Sequence, residues 1–357
     1  MKILDRYILK KLLSTFVFVV LILVFVILVI DFTEKNDKFI RNDLGAAEIL
    51  NYYFNFIPYI ASLLTPITSF IAVVFVTANL AVRTEIVAIL ASGTSFIRMM
   101  WPYAIFSIII GAMSLGLNGW IIPNANKERV AFEVAYIKGA YYFSERNIHF
   151  KVGPQDYVYM DRYSNQNDIG YRVTLETFEG TELKEKMFAT QMAWDSTTLK
   201  WKLKAWNRRK LTEGGEVFEK GFEMDTTIAI WPSDFENSYH LHETFTMPEL
   251  TDYIELQQSR GADDTLVYIV EKLVRYTQPF TVVILTFIGV IVSARKARGG
   301  AGFQIALGFL IAFVFIIFFI MARASAEAGS MPPLLAIWIP NIIFSFIGLV
   351  MYHTVPR

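Results

Sequence analysis

Apolar positions along this chain are gathered into blocks. Leu12–Ile30 holds nineteen residues whose only polar members are Ser14 and Thr15. Ile57–Val82 and Met99–Ile122 are uncharged over twenty-six and twenty-four residues, and Ala301–Ala322 and Met331–Tyr352 over twenty-two each. A helix rises about 1.5 Å per residue, so about 20 residues cross a hydrocarbon core of about 30 Å while satisfying their own backbone hydrogen bonds. Pro279–Ala294 is shorter, and adding Leu273–Gln278 makes it a sixth span, with Lys272 and Arg275 predicted to snorkel towards headgroups. The pattern predicts six transmembrane helices. The first has a basic start at Lys2, Arg6, Lys10 and Lys11. Its apolar run is too long for a signal peptide, and Asp31-Phe-Thr-Glu-Lys35 follows in place of a small-residue cleavage site. It is expected to remain as an uncleaved first helix.

Between Pro123 and Gln278 the pattern changes to short alternating runs: His149–Val152, Tyr157–Met160, Tyr171–Phe178, Leu199–Trp206 and Phe222–Ile230. Gly153-Pro154, Asn165–Asp168, Glu179-Gly180 and Gly214-Gly215 separate them as turns. Many short strands at this spacing predict an all-β sandwich or jelly roll, with Trp194, Trp201 and Trp206 in its core or on a sheet face. Asn124–Lys138 is expected to continue the third helix, and Pro248–Arg260 to form a helix capped by Thr246 or Thr251. The expected division is therefore 1–122 for helices one to three, 123–278 for the β domain with helical stalks, and 279–357 for helices four to six.

Composition sharpens this. The chain is 54% hydrophobic, contains no Cys, and balances 33 basic against 33 acidic residues. The missing Cys removes disulfides, Cys-ligated zinc and thiol catalysis, and neutrality argues against a nucleic-acid binder. The balance hides a partition: residues 123–278 carry nineteen basic and twenty-five acidic residues, the remainder fourteen and eight. Counting Lys and Arg near the spans, Lys2, Arg6, Lys10, Lys11, Arg83, Arg98, Arg295, Lys296, Arg298 and Arg357 share one side. Lys35, Lys38, Arg41 and Arg323 share the other. The positive-inside rule then predicts both termini in the cytoplasm and the β domain across the membrane.

Chemistry for catalysis is sparse. No Gly-x-x-x-x-Gly-Lys-Ser/Thr loop occurs, so ATP hydrolysis by the P-loop route is not expected, and Gly299–Gly302 reads as a loop between helices. His240 and His242 would share one face of a strand near Glu243, but without a third His or a Cys the pair reads as incidental and no metal site is expected. Glu179, Glu182 and Glu185 read as a solvated face. The informative charges border the membrane. Arg83–Gly93 interrupts two apolar runs, with Ile86, Ile89 and Leu90 at helical spacing and Gly93 at the end. Periodicity leaves a short amphipathic surface helix and an ordinary interfacial turn equally open, with Glu85 facing water or a partner.

Leu4-Asp5-Arg6-Tyr7, Pro58, Pro66 and Arg83-x-Glu85…Ala91-Ser-Gly-Thr-Ser95-x-x-Arg98 form one motif cluster. Met247–Ile254 and Gly329-x-x-Pro332-Pro333-x-x-Ala336-x-Trp338-x-Pro340-Asn341 form a second. Together, in this order around an inserted β domain, they resemble the LptF/LptG family of lipopolysaccharide export permeases from about residue 4 to the end. Gly299–Gly302 with Phe303–Gly308 looks more like the LptG member. The resemblance implies six transmembrane helices with a periplasmic β-jellyroll between helices three and four. It also implies a heterodimer with a second such permease, a cytoplasmic ABC ATPase dimer that hydrolyses the ATP, and a single-span LptC-like partner that receives the lipid. On it, Glu85 is the ATPase-coupling glutamate flanked by Arg83 and Arg98, and helices one and five gate a cavity in the inner membrane of a Gram-negative bacterium. Phe16, Phe18, Phe25, Phe309 and Phe313 suit acyl chains, and Lys35, Lys38 and Arg41 suit lipid phosphates. Residues 31–43 read as a short loop after the first helix, and its mixed charge departs from what a phosphate clamp requires. A permease for lipoproteins or another lipid, and a non-transporting periplasmic sensor or scaffold, remain open alternatives.

Overall fold

The computed structural model describes residues 3–138, 141–212, 214–235, 239–260, 265–294 and 300–353. Arg295, Lys296, Arg298, Arg357 and most of the glycine-rich stretch Gly299–Gly302 lie outside the described residues or their described side chains. The chain divides into two units, Met1–Tyr136 with His240–Thr251 and Leu266–Arg357, and Ile137–Tyr239 with Asp252–Thr265.

The first unit is helical. Among the described residues six helices are long and apolar enough to cross a membrane: Ile3–Arg41, Ala46–Val82, Phe96–Lys138, Thr265–Ser293, Gly302–Glu327 and Pro333–Tyr352. We label the helices α1 (Ile3–Arg41), α2 (Ala46–Val82), the short α3 (Glu85–Ala91), α4 (Phe96–Gly116) continuing into α5 (Ile122–Phe132), the short α6 (Leu241–Thr244), α7 (Met247–Arg260), α8 (Thr265–Ser293), α9 (Gly300–Glu327) and α10 (Pro333–Tyr352). The expected continuation of the third helix is present through two π-helical stretches, Leu117–Ile121 and Glu133–Lys138. The sixteen-residue block at Pro279 is indeed the second half of a longer helix, α8.

Two departures have clear causes. The mixed-charge segment after the first apolar block is helix rather than loop up to Arg41. Phe39, 3% exposed, packs on Tyr52, Tyr53 and Phe132, and that aromatic cluster carries the helix past its apolar block. Arg275 does not reach outward to headgroups: it is 4% exposed and its guanidinium donates to the carbonyls of Phe245 (2.6 Å) and His242 (3.0 Å).

Polar side chains tie the helices where proline opens the backbone. Pro66 has no N–H to give the Ser62 carbonyl four residues earlier. Gln278 of α8 donates to that carbonyl instead, at 2.9 Å. Asn118, in the π-helical turn, donates to Gln278 (3.0 Å) and accepts from the Ser62 hydroxyl (2.7 Å), closing a triangle across three helices. Close approach is secured by small residues. A Cβ on Gly308 of α9 would lie 2.8 Å from Val74 of α2.

The second unit is built on one six-stranded antiparallel sheet in chain order, β1 (Arg146–Lys151), β2 (Asp156–Ser164), β3 (Ile169–Glu179), β4 (Glu182–Asp195), β5 (Lys200–Thr212) and β6 (Gly215–Thr226). The all-β insertion is as expected, and its strands follow one another as a meander in a single sheet. The four turns expected from glycine, proline and asparagine join successive strands. Strand β4 was not expected. Its buried positions run Met187, Ala189 and then Met192, so its alternation breaks in the middle. The same step of three occurs in β2 (Val158, Met160, Tyr163) and β5 (Trp201, Leu203, Trp206). Asn147, Arg172 and Ala205 have positive φ (55°, 52° and 46°), and the strand register lines them up in one row with Asp161 and Thr190. Such a row re-aims the side chains while keeping one face buried. Trp201 is fully buried there and donates its indole N–H to the Ile230 carbonyl at 2.8 Å; Trp194 and Trp206 pack against the same core.

Candidate functional site

Where α1 begins, the two halves of the first motif cluster meet. The sequence Arg83–Gly93 folds as the amphipathic alternative: Thr84 turns the chain at φ 58°, α3 follows, and Gly93 ends it at φ 82°. Ile86 is buried among Leu80, Ala81, Phe96 and Met99, and Ile89 and Leu90 pack on the same cluster, which also holds Ile8 and Leu12 of α1. Glu85 is half-exposed. Its carboxylate accepts from the Tyr7 hydroxyl (3.0 Å) and lies 3.9 Å from Lys11 Nζ. Asp5, 2% exposed, accepts two parallel bonds from the Arg98 guanidinium, both 2.7 Å. Ser95 caps α4 by accepting from the Arg98 backbone N–H. Arg83 is exposed. Of the three expected coupling residues, Glu85 and Arg98 are therefore each engaged with α1, a connection that spacing could not reveal.

Near the far end of α1 lies a second, buried cluster. Lys35 meets Asp31 (2.7 Å), Glu133 (3.3 Å) and the Tyr52 hydroxyl, beneath the rings of Tyr52 and Phe56. Tyr52 donates to Glu133 at 2.9 Å. Arg129, 3% exposed, bridges Glu133 and Glu243 and donates to Asn126 at 3.0 Å, with the Tyr59 ring 4.2 Å from its guanidinium carbon. Glu243 also accepts from Tyr59 (3.2 Å) and contacts His240 Nδ1 (2.8 Å). Arg275 and Arg323 share Glu271, and Arg323 reaches Glu327 at 2.7 Å. Lys35 is thus committed inside the protein, whereas Lys38 and Arg41 are on the surface.

His240 and His242 are not on a strand. His240 lies at φ 48° ahead of the short helix α6 (Leu241–Thr244), and the chain reversal brings both rings to Glu243. Ligand atoms of His240, His242 and Glu243 lie within 4.8 Å of one another, a spacing that could admit a metal ion. The chemistry is crowded, because Arg129 holds one Glu243 oxygen and Tyr59 and His240 hold the other. Burial would raise the Glu243 carboxyl, but the His240 bond and the Arg129 charge outweigh it and hold the group below its ordinary value. Burial pushes the His242 imidazole down, against the opposing pull of Glu271 and Glu243. This cluster escaped sequence reading. Its signal was present as opposite charges four residues apart, Asp31/Lys35, Arg129/Glu133, Glu271/Arg275 and Arg323/Glu327, beside apolar blocks.

The phenylalanines separate into two groups. Phe16 is buried edge-to-face on Phe106 at 5.9 Å, so it cannot line a lipid path as expected. Phe18, Phe25, Phe309 and Phe313 are exposed. They lie on the two least covered helices: the most apolar stretches of α1 and α9 are 11% and 17% buried, against 61% in α2 and in α8.

The sequence profile of the lipopolysaccharide export system permease family LptF/LptG matches residues 6–354. The lipopolysaccharide export system permease proteins LptG of Escherichia coli strains K12 and O6:H1 are each 20% identical to this chain over 352 residues, 97% of both chains. The LptG-like character expected from the sequence agrees with these relatives, and six apolar helices fit a multi-pass inner-membrane protein. Matched through nearly its whole length, this chain belongs to the LptF/LptG family of transport permeases of lipopolysaccharide export.

Proposed function

We propose that this chain is the membrane subunit of an ABC transporter that lifts lipopolysaccharide, or a related glycolipid, out of the inner membrane. In this reading both termini and α3 face the cytoplasm, and the β domain lies in the periplasm. A separate ATPase dimer hydrolyses ATP, a second LptF/LptG-type permease completes the membrane part, and a single-span LptC-like partner accepts the lipid on a β-jellyroll bridge. The observation that carries the reading is the bare apolar surface of α1 and α9. In a helix bundle where α2 and α8 are 61% buried, two faces left this bare call for a second subunit, a lipid, or both.

The mechanism requires mechanical work rather than covalent chemistry. Each methylene taken from hydrocarbon into water costs about 0.8 kcal/mol, so a lipid with several acyl chains does not leave unaided. A partner seated on α3 moves Glu85, and the Tyr7 and Lys11 contacts pass that motion to α1. The Asp5–Arg98 pair pins the same end of α1 to α4, so α1 pivots there rather than sliding. Displacement of α1 then opens and closes the apolar face that holds the acyl chains.

The test is co-purification with the ATPase. Glu85→Lys should abolish its association, and the parent complex should carry lipopolysaccharide detectable by mass spectrometry. Unchanged association would favour a membrane-anchored scaffold, and a bound lipopeptide or another lipid would reassign the cargo.

A further inference from the structure

We infer that the β domain carries an anion site, built by Arg146 and Arg162, for the phosphate of a phosphorylated saccharide. The two residues stand directly opposite each other on β1 and β2. Like charges at directly opposed positions destabilise a sheet, so the pairing needs a compensating partner. Among the described residues neither guanidinium has a carboxylate within ion-pair distance, in a segment where acids outnumber bases twenty-five to nineteen. Some cations of the sheet are paired, such as Lys186 with Glu176 at 2.7 Å, Arg208 with Glu185 at 2.9 Å, and Arg209 with Glu216, and others such as Arg172 and Lys204 are not, among the described residues; Arg146 and Arg162 differ from these in standing directly opposite each other. These two arginines share the wall of one cavity of about 410 Å³.

The surroundings suit a sugar phosphate. Tyr171, opposite Arg162 on β3, lies with its ring centroid 4.5 Å from the guanidinium carbon and orients the Arg162 fork. Asn165 fixes the rim, accepting from the Phe143 N–H (3.1 Å) and donating to the Tyr141 carbonyl (2.9 Å). Asn147, next to Arg146, is held by the Tyr159 hydroxyl at 2.8 Å. Two guanidinium forks meet phosphate oxygens in bidentate geometry. Gln166 and Glu145 on the same wall offer a neutral amide and a carboxylate to sugar hydroxyls, and Glu145 disfavours a bare polyanion. The cavity falls within the range of about 300–1,000 Å³ usual for small-molecule sites. This deepens the permease reading, on which the saccharide belongs to the transported glycolipid's headgroup.

The test uses the full chain in detergent micelles with glucosamine 1-phosphate, glucosamine and inorganic phosphate as probes in saturation-transfer NMR titrations. Saturable binding of glucosamine 1-phosphate is expected, weakened at least about tenfold in R146Q/R162Q and a few-fold in the charge-preserving R146K/R162K, which loses the bidentate fork. K220Q, on the opposite edge strand, should leave it unchanged. The thermal midpoint of R146Q/R162Q should equal or exceed the parent's, because opposed like charges are removed. Unchanged binding in R146Q/R162Q, or equal affinity for inorganic phosphate, overturns the proposal. A lowered midpoint with binding intact also overturns it and makes the pair structural. The permease reading is checked separately. If lipopolysaccharide co-purifies with the parent but no probe binds, the site fails and the reading stands. If the probe binds at the arginines but no lipopolysaccharide co-purifies, the reading fails and the site stands.

Discussion

The two charged clusters of the helical unit are built from the same residue types and differ in how firmly they are held. Around Glu85 and Arg98 the partners are few, Tyr7 and Lys11 for the first and Asp5 for the second, and both of those side chains reach solvent. Around Arg129 and Glu133 every charged group has several partners, and Arg129 and Glu133 are each 3% exposed. An exposed pair contributes about 0–1 kcal/mol and can be exchanged for a partner's group at little cost. A buried charge deprived of its partner costs several kcal/mol. One cluster is therefore suited to be opened in each cycle, the other to remain closed while the helices around it move as a block.

Substitutions can break this contrast. The largest effect is expected for Arg129→Met, which leaves Glu133 and Glu243 facing each other without their common cation. A loss of about 3–5 kcal/mol is expected, read as a collapse of the thermal midpoint in detergent. A loss below about 1 kcal/mol would erase the distinction between the clusters. Asp5→Asn removes one partner of a bidentate pair whose Arg98 remains open to water. It should cost about 1 kcal/mol and free the start of α1, seen as spin-label mobility near Tyr7.

Acidification probes the buried cluster through His242 and Glu243. His242 has a folded pKa below its unfolded value, so the unfolded chain binds the proton more readily. Stability should fall as the pH drops through about 6.5, the ordinary histidine value. His242→Gln should remove that slope from the melting profile. Glu243, also depressed, contributes stability above its ordinary carboxylate value and loses it only as the pH falls through its lower folded value. The smallest stability effect is expected for Glu85→Gln, within about 0.5 kcal/mol. In that variant the stimulation of a partner ATPase should nonetheless disappear. A large fall in its melting point would show that Glu85 is structural rather than a coupling group.

Much of the frame was legible before any coordinate. Uncharged blocks about as long as a bilayer is thick announce their helices, because lipid leaves the backbone no alternative. Ile86, Ile89, Leu90 and Gly93 announced α3 as one of two options, and the burial of Ile86 in the apolar cluster it shares with α1, α2 and α4 decided between them. Strand β4 was hidden because its buried positions are Met187, Ala189 and Met192, without the β-branched or aromatic side chains that mark a strand, and they also shift parity along its length. The end of α1 was misread because its charges look like a loop until Tyr52 and Glu133 are brought beside Lys35. Phe16 and Phe25 are indistinguishable on paper, and only Phe106 shows that the first is interior.

The amino-acid order alone determined the number of spans, the position of the inserted β domain, the opposite charge balance of the two parts and the two motif clusters. Those follow from local physics: hydrophobic length, turn chemistry and the solvation of charge. Tertiary structure alone decided that Asp5 answers Arg98, that Tyr7 answers Glu85, and that Arg129 joins Glu133 to a glutamate more than a hundred residues away. Such pairings depend on which helix faces pack together, and nothing in the spacing of residues along one helix specifies the neighbour it will meet.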